Sequence, residues 1–154
     1  MAHYYLDSSA LVKRYAVEVG TAWVTALCAP SAGHMLNTVR ITGAEIVAAL
    51  FRRVQVGSLT LSDAQMAAAR FRRDLLSQYD IVEVTESLID TAMRLAEAHT
   101  LRGYDSVQLA AALELQSVRA SLALPLLTFV CADNRLNAVA SAEGLMVENP
   151  NLHP

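Results

Sequence analysis

Lysine is almost missing from this chain: of its twelve basic residues only Lys13 is a lysine, and the other eleven are arginines. Cysteine is scarce as well. Cys28 and Cys131 lie far apart with no CxxC spacing, which excludes a disulfide framework or a cysteine zinc site and fits a reducing compartment. No apolar run is long enough for a membrane span. The uncharged apolar run Ser121 to Ala132 is broken by Pro125 and falls short of the ~20 residues required. Met1 to Asp7 holds neither a basic nor an apolar segment, so no secretory leader is expected. Low-complexity tracts, internal repeats and linkers are also absent. Charged residues make up only 18% against 54% hydrophobic, which is too apolar for a disordered chain. At 154 residues, one domain burying roughly 70% of its unfolded surface is expected. That domain should span 1–148, be soluble and cytoplasmic, and leave 149–154 as a C-terminal tail.

Fifteen acidic residues give a net charge of −3. A protein that binds nucleic acid by bulk charge alone should be basic, so the whole-chain balance argues mildly against such a partner. The basic residues are nevertheless of the kind suited to bidentate phosphate contacts. Arg52, Arg53, Arg70, Arg72 and Arg73 fall in one short stretch. They read either as a solvated, salt-bridged helix face or as contacts to phosphate or an acidic partner.

Strand and helix signals alternate along the chain. Residues 3–6 read as a strand ending at Asp7, and Ser8-Ser9 opens a helix running towards a stop at Gly20. A short helix follows around 22–27, then a strand over 35–39 and a helix over 42–56 stopped by Gly57. A helix over 62–78 opens with Ser62 and Gln65 at capping-box spacing. A strand at 81–84, helices at 87–99 and 104–117, a strand at 126–131, a helix at 134–142 and a strand at 145–147 complete the pattern. The near-continuous apolar run of 126–131 suits a strand buried on both faces. This alternation predicts an α/β fold with a central parallel sheet of about five strands flanked by helices.

Four acids stand where an element ends and a helix begins: Asp7, Glu45, Asp105 and Asp133. In a parallel sheet those junctions lie along one edge, so residues distant in sequence converge there. Four converging carboxylates repel one another unless a cation is present, and hard divalent ions prefer oxygen ligands of this kind. Each acid also has a plainer explanation. Asp7, Asp105 and Asp133 suit helix N-caps, Asp105 with Gln108 at capping-box spacing, and Glu45 stands three residues after Thr42. Capping and metal binding are compatible, because the positive end of a helix dipole favours a carboxylate.

The segments Tyr-Leu-Asp7-Ser-Ser-Ala-Leu-Val, Thr-Gly-Ala-Glu45-Ile-Val, Tyr-Asp105-Ser-Val-Gln-Leu-Ala-Ala-Ala and Phe-Val-Cys-Ala-Asp133-Asn-Arg-Leu resemble, in that order, the PIN-domain nucleases. The chain is most similar to the VapC-type toxins of bacterial toxin–antitoxin modules, from Tyr4 to Val147. The resemblance implies a Mg²⁺- or Mn²⁺-dependent ribonuclease acting on RNA, a homodimer, and a cognate antitoxin. It makes Asp7, Glu45, Asp105 and Asp133 the metal-binding catalytic acids, and Ser8 and Ser9 accessory residues that orient ligands or bind phosphate.

No His, Cys or Ser–base pair is placed for covalent catalysis, so the expected reaction is hydrolysis by a metal-activated water. Which acid takes the proton stays open. Setting the four acids aside leaves eleven against twelve basic residues, a remainder of +1, and the acidic balance no longer argues against RNA. A Mg²⁺-dependent phosphohydrolase of small esters is the alternative, weakened because Ser9 stands where such enzymes carry a second Asp. A non-catalytic binding module is the other. His3, His34, His99 and His153 show no metal-ligand spacing, and His153 is expected in a frayed tail. Trp23 and Tyr15 read as packing residues. The Ala-rich helices suit close packing, a dimer or an antitoxin groove equally.

Overall fold

The computed structural model describes residues 1–154 and contains a five-stranded, all-parallel sheet in the order β3-β2-β1-β4-β5. The elements follow one another as β1 (His3–Leu6), α1 (Ser8–Leu11), α2 (Thr21–Leu27), β2 (Met35–Val39), α3 (Thr42–Gln55), α4 (Leu61–Ser77), β3 (Asp80–Val82), α5 (Glu86–His99), α6 (Gly103–Ser121), β4 (Thr128–Val130), α7 (Asn134–Ala142) and β5 (Met146–Glu148). This is the α/β architecture that the alternation predicts. No helix is long and apolar enough to cross a membrane.

Both faces of the sheet are buried, which explains why its central strands are apolar at successive positions. On β1, Leu6 packs into one core with Ile46 and Leu50 of α3 and Phe71 of α4. Its neighbour Tyr5 points into the other core, with Leu88 of α5, Leu109 of α6 and Leu136 of α7. Val130 and Phe129 of β4 alternate in the same way, and Tyr5 stacks on Phe129 with ring centroids 5.7 Å apart. The chain builds outward from β1 through β2 to β3, then returns to place β4 on the other side of β1. The sheet therefore has a topological switch between β1 and β4. In open parallel sheets, crevices form beyond the carboxyl ends of the strands at such a point.

Several local expectations are corrected. The helix after β1 is short: α1 passes at Val12 into a single 3₁₀ turn, Val12–Arg14. The chain then folds back so that Lys13 Nζ donates to Glu18 and to the Val19 carbonyl. Gly20 stops no helix; with φ +86° it precedes α2. Helix α4 is capped by Thr60, which accepts from the Asp63 amide, and not by Ser62. Residues 149–154 are not frayed. Pro150–Leu152 form a 3₁₀ turn with Pro150 buried, and His153 stacks on Trp23 of α2 at 4.4 Å.

That C-terminal strap constrains Gly20. A Cβ there would lie 2.8 Å from the Pro150 carbonyl carbon, on a backbone that L-residues disfavour. Gly33 also has positive φ but open space around it. Gly33→Ala is expected to cost about 1–2 kcal/mol from the backbone alone. Gly20→Ala should cost more, because it also displaces the strap. Urea denaturation of the two variants checks this, and equal losses would mean that the strap yields freely.

Candidate active site

The four acids come together at the carboxyl edge of the sheet. Asp7 ends β1, Glu45 lies in the first turn of α3, Asp105 in the first turn of α6, and Asp133 follows β4 at the start of α7. All four line one cleft of about 470 Å³, together with Ser8, Ser9, Arg52, Arg102 and Tyr104.

Asp7 is the deepest, with 3% of its surface exposed. It caps α1, as its position predicts: Oδ1 accepts from the Ala10 amide at 2.9 Å. The Ser9 hydroxyl lies 2.7 and 2.9 Å from the two carboxylate oxygens. Ser9 Oγ in turn accepts from the Ala132 amide at 2.9 Å. One serine thus ties the end of β1 to the loop that carries Asp133. Burial, with the charge of Glu45 adding to it, raises Asp7 to about 6 despite the bonds from Ser9 and Ala10.

Glu45 does not bond back to Thr42, and α3 has no side-chain cap. Its carboxylate is held at both oxygens by other elements. Ser8 Oγ donates to Oε2 at 2.8 Å, and Gln108 Nε2 donates to Oε1 at 2.8 Å. The adjacent serines are therefore divided, Ser8 to Glu45 and Ser9 to Asp7.

Asp105 is not the cap of α6 either. The N-cap position belongs to Arg102, and Asp105 Oδ2 accepts from Arg102 Nε at 2.8 Å. Gln108 forms no capping box, since its amide points across to α3. Asp133 does cap α7, Oδ1 accepting from the Arg135 and Leu136 amides at 2.8 and 3.1 Å. Its second oxygen lies 3.6 Å from Arg102 Nη2. Arg102, whose side chain is 76% exposed, thus bridges the outer two acids.

Of the five clustered arginines, Arg52 alone lines this cleft. Arg53 pairs with Glu18, Arg70 lies over the Tyr15 ring beside Asp74, and Arg72 lines a groove between α3 and α4. Arg73 stands exposed on α4. Sequence reasoning missed Arg102, Tyr104 and Gln108. The Arg-Gly-Tyr-Asp run placed the first two beside an acid, and that was the signal available.

The cleft suits a hard cation. Its four acids offer carboxylate oxygens, the donors such an ion prefers, and the buried Asp7 has no basic partner. As the side chains stand, no three acidic, His or Cys side chains are close enough together to enclose an ion.

No sequence-family profile matches the chain. It is 33% identical over 150 residues to Ribonuclease VapC45 of Mycobacterium tuberculosis strain CDC 1551, covering 97% of both chains. Ribonuclease VapC49 of strain H37Rv matches to the same extent. The chain belongs to the VapC ribonuclease family. Among solved structures the VapC fold recurs in VapBC2 of Rickettsia felis, at 15% identity and TM-score 0.62, covering 96% of this chain and 98% of that one. FitAcB of Neisseria gonorrhoeae aligns with 18% identity and TM-score 0.60, covering 96% and 97%. PAE2754 of Pyrobaculum aerophilum aligns with 24% identity and TM-score 0.59, covering 96% and 92%.

The raised Asp7 has a consequence for stability in this VapC family member. Between its unfolded pKa near 4 and about 6, the metal-free native state holds a proton that the unfolded chain has lost. Stability in EDTA should therefore decline as pH rises through that window, by roughly 2–3 kcal/mol from this group. Asp7→Asn keeps the acceptor for Ser9 and Ala10 and carries no charge. Urea melts at pH 4.5 and 7 should show the decline in the wild type and a flatter response in Asp7→Asn. Equal slopes would mean that Asp7 ionises normally.

Proposed function

We propose that this chain is an endoribonuclease toxin that hydrolyses RNA phosphodiester bonds with water as the nucleophile, using Mg²⁺ or Mn²⁺ held by Asp7, Glu45, Asp105 and Asp133. The observation that carries the reading is the convergence of four acids, from four separate elements, on one cleft in a VapC-family chain. When bound, the ion supplies a water of lowered pKa and charge compensation at the phosphate.

The protein's own residues supply position and charge. Ser9 and the Ala10 amide hold Asp7 in one orientation, and Ser8 does the same for one oxygen of Glu45. Asp133 spends one oxygen on the α7 amides and turns the other towards Arg102. Arg52 and Arg102 on the cleft walls are placed to meet phosphates of the RNA, and the exposed Tyr104 ring offers a stacking surface for a base. The groove of Gly43, Val47, Phe71, Arg72 and Leu75 beside the cleft supports a protein partner. The reading accordingly includes a cognate antitoxin, a homodimer and a cytoplasmic location.

The purified protein should cleave single-stranded RNA with Mg²⁺ or Mn²⁺, leave 5′-phosphate ends and be silent in EDTA. Asp105→Asn should lose cleavage without losing stability, because Asp105 caps no helix and its one side-chain bond is to an exposed arginine. Saturating metal should raise the wild-type melting temperature by several degrees, since about 2.7 kcal/mol accrues at a hundredfold excess over Kd. The Asp105→Asn shift should be much smaller. Cleavage that survives exhaustive chelation overturns the reading.

The arginines separate by position. Arg52→Ala should weaken RNA binding and reduce the slope of log K against log salt by about one, while Arg73→Ala leaves both unchanged. Filter binding between 50 and 200 mM salt, in the presence of Ca²⁺, distinguishes them. Equal effects would mean that the cleft wall does not contact RNA.

A further inference from the structure

Gln108 is 1% exposed, yet its amide makes three hydrogen bonds to residues of two other elements. Tyr5 Oη of β1 lies 2.9 Å from Oε1, while Nε2 lies 2.9 Å from Thr42 Oγ1 and 2.8 Å from Glu45 Oε1, both on α3. The bond directions follow from counting protons. Thr38 Oγ1 lies 2.9 Å from the Leu6 carbonyl, which can only accept, so the single Thr38 hydroxyl proton goes there. At 2.8 Å, Thr42 must then donate to Thr38. Thr42 is left with a lone pair for Gln108, which turns the NH₂ group towards α3. The second N–H points at Glu45 Oε1, and Oε1 of the amide is left to accept from the Tyr5 phenol. Every proton in the chain of contacts is assigned, and reversing the amide would set its carbonyl oxygen against the Thr42 lone pair and the Glu45 carboxylate, losing two bonds.

We propose that Gln108 is a positioning residue for Glu45, fixing the carboxylate as a correctly aimed anion before a cation arrives. The inference rests on the proposed metal site and assigns to Gln108 a task that no capping role explains. Three properties make it suited to that task. The amide reaches Glu45 from the opposite helical layer, so it sets the separation of α6 from α3 over the end of the sheet. It is locked by Tyr5, Thr42 and, through Thr42, Thr38, all of which are buried. It is also neutral. An arginine there would cancel the charge that the cation needs, whereas an amide N–H stabilises the anion and leaves its charge intact. Ser8 on the other oxygen completes the hold.

Removing Gln108 alone would orphan the Tyr5 hydroxyl, so the informative variant is Tyr5→Phe/Gln108→Leu, which removes both partners together. Mn²⁺ binding is followed by the EPR signal of the free ion, with no RNA present, and folding by thermal melts in EDTA. Loss of an outer partner of a metal-binding carboxylate typically weakens binding 10–100-fold. The double variant is expected to melt within a few degrees of wild type and to bind Mn²⁺ at least tenfold more weakly. Tyr5→Phe, which keeps the amide on Glu45, should stay within threefold. Gln108→Asn, one methylene too short to reach both Tyr5 and Glu45, should lose affinity like the double variant and serves if that variant does not fold. In a Glu45→Gln background the same Gln108 change should have no further effect, because the residue acts through Glu45. A folded Gln108 variant that binds Mn²⁺ within threefold of wild type overturns the inference and leaves the proposed function standing. A wild-type protein that binds no Mn²⁺ overturns both.

Discussion

A carboxylate with 3% of its surface exposed is destabilising unless something stabilises its charge, and Asp7 sits at the end of the central strand with no basic side chain against it. Much of the edge architecture follows from that constraint. The Ala10 amide is available because α1 begins at Ser8, and the turn can begin there because β1 ends at Leu6. Ser9 reaches the carboxylate because it lies on the inner side of that first turn. The same hydroxyl accepts from Ala132, so the charge on β1 and the loop after β4 are positioned together. These donors reduce the cost without removing it, since Asp7 still lies well above the ordinary aspartate value.

The sheet order explains why these parts meet. With β1 central and the chain reversing direction across it, the end of β1 has β2 on one side and β4 on the other. The helix after β2 brings Glu45 from one layer, and the turn after β4 brings Asp133 from beside it. Helix α6, packed on the opposite face, supplies Asp105 in its first turn and Gln108 one turn later. Both residues reach the edge because α6 begins there, while the middle of that helix, Leu109 to Ala112, is buried in the core. A single helix thus serves packing at its centre and the cleft at one end.

Much of this was legible in the sequence because the relevant signals are local. Both faces of β1 and β4 are buried, so their residues are apolar without alternation, and the acids stand out where that run ends. Side-chain direction was less legible. The spacing of Thr42 to Glu45 and of Asp105 to Gln108 fits a capping box, but spacing cannot reveal a competing partner from a distant element. Ser8 and Gln108 outcompete the Thr42 backbone for Glu45, and Arg102 holds Asp105. Of the five clustered arginines, Arg52 alone lines the cleft. Neighbours on an α-helix point about 100° apart, so Arg53 leaves the helix in a different direction from Arg52, and Arg73 from Arg72. The early end of α1 is accompanied by Lys13 bonding forward to Glu18 and Val19, local contacts that the hydrophobic pattern does not encode.

The cleft separates its acids into two kinds of environment. The inner pair, Asp7 and Glu45, is held by neutral donors: two serines, an amide side chain and a backbone N–H. Such donors stabilise an anion while leaving its charge, so the inner pair presents a fixed negative potential to anything entering. The outer pair, Asp105 and Asp133, is bridged by one guanidinium that is itself 76% exposed. Pairs of that kind are screened by water and contribute little to stability, so the arginine can be displaced at small cost. A divalent ion entering the cleft would therefore meet an inner pair already aimed and an outer pair whose counter-charge can be exchanged. Arg102, once displaced, would stand at the rim as a free cation beside Tyr104. The protein solves the problem of gathering four negative charges by making half of the compensation rigid and neutral and the other half charged and removable.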